Sequence, residues 1–249
     1  MKILCPNADG YMATGLRVLA SAATELGSVS TVAPDREQSA TSHSLTLHNP
    51  LRARRTVDGV FVVDGTPTDC VILGVNQLLP EKPEICLSGV NHGPNMGEDV
   101  LYSGTVAAAM EATVMGIPSI ALSYVGNRFE ELEGWQGVVQ AILQGILGRE
   151  TFPEDTLFNV NLPAVAPEDV RGIKITSLGR RRYSDSILRA KDPMGKEYFW
   201  IGGGSVSWRG PEDSDFQAVE DGYVSVTPLH LDLTNYKLLK EIRAWNLGL

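Results

Sequence analysis

The chain has 249 residues, of which 43% are hydrophobic, so it can bury a sizeable core and is not a disordered chain. Its formal net charge of −9 argues against a dedicated binder of nucleic acid or of an anionic membrane, because both functions need a basic surface. A small anionic substrate is not excluded, since a metal ion or a helix terminus can reverse the potential locally.

Strands are predicted to alternate with helices over residues 1–150. Short apolar segments bounded by turn residues predict strands, and apolar residues three or four positions apart predict helices. In chain order, the predicted elements are strand 2–5, helix 13–26, strand 29–33, an extended segment 45–54, strand 60–63, a helix from Thr66, strand 85–88, helix 104–116, strand 119–123 and helix 134–147. This alternation indicates an α/β fold, a Rossmann-like three-layer sandwich with a mostly parallel sheet.

The chain changes in character over residues 151–249. Segments 158–162, 173–178 and 223–228 are predicted to add the remaining strands of the core. The stretch from Arg180 to Asp221 contains three successive glycines and the aromatic run Tyr198-Phe199-Trp200, and predicts a protruding hairpin extension at about 180–215.

An amphipathic tail helix is predicted over 236–246. Its apolar side chains and the aromatic residues of the extension exceed what one compact domain is expected to bury. We therefore predict a homo-oligomer in which the tail helix packs on a neighbouring copy of the chain.

The three cysteines are predicted to be small buried residues of a reducing cytosol rather than disulfides or zinc ligands. Cys5, Cys70 and Cys86 lie in or beside apolar segments, and none belongs to a CxxC pair. No uninterrupted apolar segment has membrane-spanning length, and too few apolar residues precede Pro6 for a signal peptide. These features predict a cytoplasmic protein without membrane contact.

Polar loops follow several of the predicted strands: the first loop is 7–10, the second is 34–41 and the third is 89–97. Because the carboxyl ends of parallel strands share one sheet edge, the loops are expected to converge. They contain the Asp9 carboxylate, the Ser39 hydroxyl and the side-chain amides of Asn91 and Asn95. A set of oxygen ligands favours Mg²⁺, Mn²⁺ or Ca²⁺ over zinc.

The segment Ser103-Gly104-Thr105 opens an alanine-rich helix, and its free N–H groups suit a phosphate. Each signal also has a purely structural interpretation. Asp9 before Gly10 is a common turn, Ser103 or Thr105 can be only a helix N-cap, and the asparagines can be turn residues. The histidines are predicted to be structural, although His92 lies inside the 91–95 loop and can approach a substrate.

The motifs resemble those of the SurE (survival protein E) family of metal-dependent nucleoside-monophosphate phosphatases. The similarity extends over nearly the whole chain and is weakest at about 180–214. It rests on the segments NADG, APDREQSATSHSLTL, GTPTDCV, SGVNHGPNMGEDVLYSGTVAAAMEA, GIPSIALS and DGYVSVTPLHLDLT.

The resemblance implies one divalent cation per subunit, Mg²⁺ or Mn²⁺, with Ca²⁺ possible in crystals. It assigns the cation to Asp9, Ser39 and Asn91, and the phosphate to Asn95 and the 103–105 helix start, with Asp9 and Asn95 catalytic. The implied activity is hydrolysis of nucleoside 5′- and 3′-monophosphates. The implied assembly is a homodimer with exchanged C-terminal tails, extending to a tetramer through the hairpin extension. The family's first motif is Asn-Asp-Asp-Gly, whereas this chain has Ala8 at the first aspartate position.

Two functions from different classes are consistent with this pattern. One is a nucleotidase weakened or inactivated at Ala8, which is either a natural residue or an introduced substitution. The other is a non-catalytic nucleotide- or phosphate-binding protein. A dinucleotide-dependent oxidoreductase is disfavoured because no GxGxxG motif follows the first strand.

Overall fold

The structure is a computed structural model that describes residues 1–149, 151–183, 187–201 and 206–245. Most of its strands belong to one nine-stranded sheet, and the others form two small two-stranded sheets. The strands are β1 (Lys2–Cys5), β2 (Ser28–Pro34), β3 (Ala53–Arg55), β4 (Phe61–Val63), β5 (Ile85–His92), β6 (Ser119–Tyr124), β7 (Thr156–Leu162), β8 (Ile173–Ile175), β9 (Arg180–Tyr183), β10 (Ile187–Lys191), β11 (Glu197–Ile201), β12 (Val206–Arg209) and β13 (Val224–His230).

The large sheet is mostly parallel, as predicted. Its order is β3-β4-β2-β1-β5-β6-β7-β13-β8, and all pairs from β4 to β7 are parallel. Strand β3 is antiparallel to β4, and β13 is antiparallel to β7. The chain proceeds outward from β1 to β4 and then returns to β5 on the other side of β1. The gap between β1 and β5 is therefore the topological switch point, where open α/β sheets bind ligands.

Helices cover both faces of the sheet. One face packs against α1 and α4 through a core that includes Leu16, Leu19 and Ile142, and the other packs against α2 and α3. The helices are α1 (Thr14–Ala23), α2 (Pro67–Leu73), α3 (Gly104–Val114), α4 (Gln136–Leu147), α5 (Asp215–Glu220) and α6 (Tyr236–Ile242). This arrangement confirms the predicted three-layer α/β sandwich.

Helix α2 begins where the sequence predicts it, because Thr66 and Asp69 form a capping box. The Asp69 amide donates to Thr66 Oγ1 at 3.1 Å, and the Thr66 amide donates to Asp69 Oδ2 at 2.8 Å. Pro67 occupies the first turn, where its missing N–H costs nothing. A π-helical turn, Gly74–Leu78, follows the helix.

The predicted hairpin extension is present as two antiparallel pairs, β10 with β11 and β9 with β12. The successive glycines 202–204 lie outside the described residues. The extension ends earlier than Asp221, because Asp215–Glu220 forms α5, which packs against β13 and buries Asp215, Ala218 and Val219. A second correction concerns segment 45–54, of which only the last residues join a strand, β3.

The tail helix is present as α6, while Asn246 lies outside the described residues. None of its residues is fully buried within the single chain. Among the described residues, no helix has the length and apolar character needed to cross a membrane.

Candidate metal and phosphate site

A cavity of about 730 Å³ opens at the switch point between β1 and β5. It collects residues from the first, second and third polar loops, from the start of α3, and from the extension. The predicted residues that line it are Ala8, Ser39, Asn91, Asn95, Ser103 and Gly104. Asp9 and Thr105 do not line this cavity, so these two predicted residues take other positions.

The first loop is fixed by Asn7, which is fully buried and donates from Nδ2 to the Gly10 carbonyl at 2.9 Å. Ala8 is buried at the edge of the cavity, with only 4% of its surface exposed. Its carbonyl accepts a hydrogen bond from the Gln38 amide at 2.8 Å. The first and second loops are therefore joined at residue 8, beside Ser39.

Asp9 is held against the third loop. Its Oδ2 accepts a hydrogen bond from the His92 backbone amide at 3.0 Å. Burial raises the pKa of this carboxyl, and the nearby Glu37 charge adds to the rise, whereas His92 opposes it. A bound cation would reverse that effect, because an adjacent positive charge favours the carboxylate.

The His92 side chain packs within the fold and does not line the cavity. Its ring stacks on Phe129 with centroids 4.3 Å apart, and its Nε2 accepts from the Gly15 amide at 3.3 Å. His92 therefore contacts the first loop through its backbone amide, and α1 and Phe129 through its ring.

The second loop presents Ser39 beside Ala8. Ser39 Oγ donates to Glu37 Oε1 at 2.5 Å, and both side chains are exposed. The next residue, Ala40, has a φ of 56°, a left-handed conformation that costs a non-glycine residue free energy. The loop thus turns sharply after Ser39 and returns toward the start of α3.

Thr105 orients Asn91. Its side chain does not line the cavity because it is directed toward the Asn91 amide. The Thr105 hydroxyl is buried and donates to Asn91 Oδ1 at 2.9 Å, while Asn91 Nδ2 donates to the Gly93 carbonyl at 2.9 Å. Both ends of the amide are therefore fixed. Thr105 positions the predicted ligand Asn91, and its side chain is not directed to a phosphate.

Asn95 is clamped by β7. Its amide donates to Asn161 Oδ1 at 2.9 Å, and its carbonyl accepts from Asn159 Nδ2 at 2.8 Å and from Asn161 Nδ2 at 3.1 Å. The Asn95 side chain donates to Ser123 Oγ at 2.7 Å. These buried partners were not predicted, although two asparagines at alternate positions of a buried strand are a usable signal.

Ser103 is the N-cap of α3, because its Oγ accepts from the Val106 amide at 3.1 Å. The N–H groups of Gly104 and Thr105 precede the first intrahelical hydrogen bonds and remain for a ligand. A Cβ on Gly104 would lie 2.9 Å from both Pro67 Cγ and Thr41 Oγ1. The glycine is therefore required for the packing of α2 and the second loop against α3.

The predicted ligands fit a hard divalent cation in chemical type, since Asp9, Ser39 and Asn91 all offer oxygen. Only Asp9 carries a charge among them. Within the described ranges, no group of three or more His, Cys, Asp or Glu residues comes together to hold a metal ion. This set therefore suits Mg²⁺ or Mn²⁺ better than zinc, and it has a low charge for a divalent cation.

Comparisons with known proteins agree on one family. The family model described as "Survival protein SurE" matches residues 3–185. The chain belongs to the SurE family. It is 59% identical over 248 residues to 5′-nucleotidase SurE of Gemmatimonas aurantiaca, covering 98% of each chain. It is also similar to the crystal structure of the SurE protein from Aquifex aeolicus, with 44% identity, a TM-score of 0.85 and 98% of each chain covered.

Six residues that the sequence analysis missed complete the wall of this SurE cavity: Ala40, Pro94, Asp99, Tyr102, Arg181 and Ile201. Arg181 lies on β9 and forms an ion pair with Asp99, and its guanidinium lies 5.5 Å from the centre of the Trp208 ring. The hairpin extension therefore contributes directly to the cavity. No local motif marks Arg181, because it meets Asp99 only through the fold.

Proposed function

We propose that this SurE chain is a metal-dependent phosphatase of nucleoside 5′- and 3′-monophosphates, weakened by Ala8. The supporting observation is that oxygen donors, the N-terminus of α3 and a wall from the extension surround one cavity of about 730 Å³. That size suits a ligand larger than phosphate alone. Relatives at 46–59% identity are named 5′-nucleotidase SurE, which favours the same substrate class.

In this proposal, Asp9, Ser39 and Asn91 hold a divalent cation. The cation, when bound, polarises a phosphate oxygen and lowers the pKa of a bound water. Asn95 and the N–H groups at the start of α3 bind the phosphoryl oxygens and stabilise their developing charge. The clamp from Asn159 and Asn161 keeps Asn95 in place, and Thr105 keeps Asn91 in place.

Ala8 weakens the site because a methyl group replaces a charged oxygen ligand. Loss of a supporting partner beyond the ligands themselves typically lowers metal affinity or activity about 10–100-fold. Loss of a carboxylate ligand is expected to cost at least as much. The proposed phosphate ligands, Asn95 and the start of α3, do not include residue 8, so substrate binding is expected to survive better than turnover.

The test is hydrolysis of nucleoside monophosphates with added Mn²⁺ or Mg²⁺ and with EDTA. We expect slow release of phosphate that depends on the cation and stops after chelation, because the proposed ligands are hard oxygens. Phosphate release that continues after thorough chelation would contradict the mechanism. Replacing Asn95 with Ala under the same conditions should abolish the residual activity.

A second candidate is a non-catalytic binding protein, and Ala8 is the observation that favours it. In that case, the chain should bind nucleoside monophosphates without hydrolysing them at any cation concentration. Calorimetric titration with a nucleoside monophosphate, run beside the phosphatase assay, separates the two candidates. The intact clamp around Asn95 favours the enzyme.

We infer that the working cation is Mg²⁺ or Mn²⁺ and that the protein acts in the cytoplasm as a homo-oligomer. The unpaired, buried thiols of Cys5, Cys70 and Cys86 suit a reducing compartment. The exposed apolar residues of α6 and of β11 suit an interface with another copy.

A further inference from the structure

The predicted cation ligands carry too little negative charge for tight binding of a divalent ion. Asp9 is the only charged member, and Ala8 contributes none. Affinity of oxygen sites for divalent cations depends on the number of charged ligands. Another anionic group close to Ser39 would therefore change what the site can hold.

Glu37 is placed to act as that group. The Gln38 amide donates to the Ala8 carbonyl at 2.8 Å, so the residues on either side, Glu37 and Ser39, flank the point where the second loop meets position 8. The Glu37 carboxylate accepts a hydrogen bond from the Ser39 hydroxyl, with 2.5 Å between Oγ and Oε1. Glu37 is also close enough to Asp9 for their charges to interact.

We propose that Glu37 is a positioning residue of the cation site. It accepts a hydrogen bond from the Ser39 hydroxyl, and it supplies the negative charge that Ala8 lacks. A serine hydroxyl has one proton and two lone pairs. When the proton is directed to Glu37, the lone pairs are directed away from it and remain for the cation. A carboxylate acceptor makes the bond short and strong, and it increases the electron density on Ser39 Oγ.

The charge of Glu37 is not neutralised by a basic partner within the described part of the chain. Its neighbour Arg36 pairs with Asp35 at 3.7 Å instead. No described basic side chain therefore competes with the Ser39 hydroxyl for the Glu37 carboxylate. This inference rests on the proposed function, because it assumes that Ser39 and Asp9 bind a divalent cation.

The competing explanation is that the hydrogen bond between Ser39 and Glu37 is an incidental surface contact. Glu37 and Ser39 are both solvent-exposed, and exposed polar contacts contribute little to stability. A contact of that kind would leave metal affinity unchanged when Glu37 is replaced. Metal affinity therefore separates the two explanations, whereas thermal stability without metal does not.

The experiment measures Mn²⁺ affinity of the full chain by the electron paramagnetic resonance signal of free Mn²⁺. We expect Glu37→Gln to weaken Mn²⁺ binding about tenfold, as loss of such supporting groups typically does. Glu37→Asp should recover part of the loss because it keeps the charge. Glu133→Gln, an equal change of charge at an exposed residue that does not line the cavity, should leave affinity unchanged.

Mn²⁺ affinity is then measured for Ala8→Asp and for the double variant Ala8→Asp with Glu37→Gln. If Glu37 compensates for the missing carboxylate, Glu37→Gln should weaken Mn²⁺ binding less in that background than in the parent chain. Equal Mn²⁺ affinity of the parent and Glu37→Gln would overturn the inference while the proposed function stands. Absence of Mn²⁺ binding from both the parent and Ala8→Asp would overturn the proposed function, and the inference with it.

Discussion

Residue 8 sets the charge at the point where the first and second loops meet. Ala8→Asp should raise cation-dependent phosphatase activity at least about tenfold, because it adds a charged oxygen ligand beside Asp9. Initial rates with Mn²⁺ and a nucleoside monophosphate measure the gain. Ala8→Asn, which adds an uncharged oxygen at similar volume, is the matched control and should give a smaller gain. Equal activity of the parent and Ala8→Asp would show that residue 8 does not limit the phosphatase activity.

The cysteines give a prediction about chemical reactivity. Cys5, Cys70 and Cys86 are all fully buried, and burial raises the pKa of the Cys5 thiol to about 12. Because the thiolate is the reactive form, a thiol reagent should label none of them in the folded protein. Denaturation in urea should expose all three. A thiol that reacts rapidly without denaturant would contradict the burial of that cysteine.

Ser39 was predictable as a cavity residue because it lies in the polar loop after β2, whereas Asn91 lies within β5, which ends at His92 rather than at the predicted residue 88. The roles of Ser103 and Thr105 were not separable from the sequence, because either hydroxyl can cap a helix or meet a ligand. Only the fold assigns the cap to Ser103 and the contact with Asn91 to Thr105. The ligand set itself remains a prediction for the cation and phosphate experiments.

At the scale of elements, one buried carboxylate joins the third loop to the base of the extension. Asp215 accepts the amides of Gly97 at 2.8 Å, Gly179 at 2.9 Å and Phe216 at 2.8 Å. It is fully buried at the start of α5. Through it, the loop that carries Asn95 and the strand that carries Arg181 share one anchor.

Asp215→Ala should therefore destabilise the protein by about 3 kcal/mol or more, because it leaves buried N–H groups without an acceptor. Urea denaturation followed by circular dichroism measures the change in unfolding free energy. The exposed neighbour Asp213 is the control, and Asp213→Ala should change stability by no more than about 0.5 kcal/mol. Similar midpoints for both variants would show that the anchor contributes little.

Strands and long helices were predictable because their apolar residues repeat with the period of the element. Helix α2 was also marked by its cap residues, Thr66 and Asp69. Helix α5 was missed because it is short and follows a polar hairpin, so its buried face becomes apparent only against β13. Arg181 and Asp99 are 82 residues apart, and no local pattern brings such a pair together.

At the scale of the whole molecule, the described part of the chain leaves large apolar side chains exposed on both the extension and the tail. Ile187, Phe199 and Trp200 are more than half exposed on the extension, and Tyr236 and Trp245 are more than half exposed on or beside the tail helix. Trp208, also expected at an interface, instead packs on Phe216 with ring centroids 5.7 Å apart. The large apolar side chains that stay exposed on the extension therefore lie on β10, on β11 and in the turn between them.

The tail helix α6 is expected to pack on a neighbouring copy of the chain. A terminal helix without a buried face in its own chain is a ready element for exchange between identical protomers, and exchange would cover Tyr236 and Leu238. Light scattering should therefore give a dimer or tetramer at micromolar concentration, and deletion of residues 235–249 should weaken the assembly. Deletion of this segment removes apolar surface without touching the cavity, so its first effect should be on the concentration dependence of assembly rather than on Mn²⁺ affinity. A monomer at micromolar concentration would refute the oligomer, whereas a dimer of unchanged stability after the deletion would place the interface elsewhere, with the exposed β10 and β11 as the next surface to test.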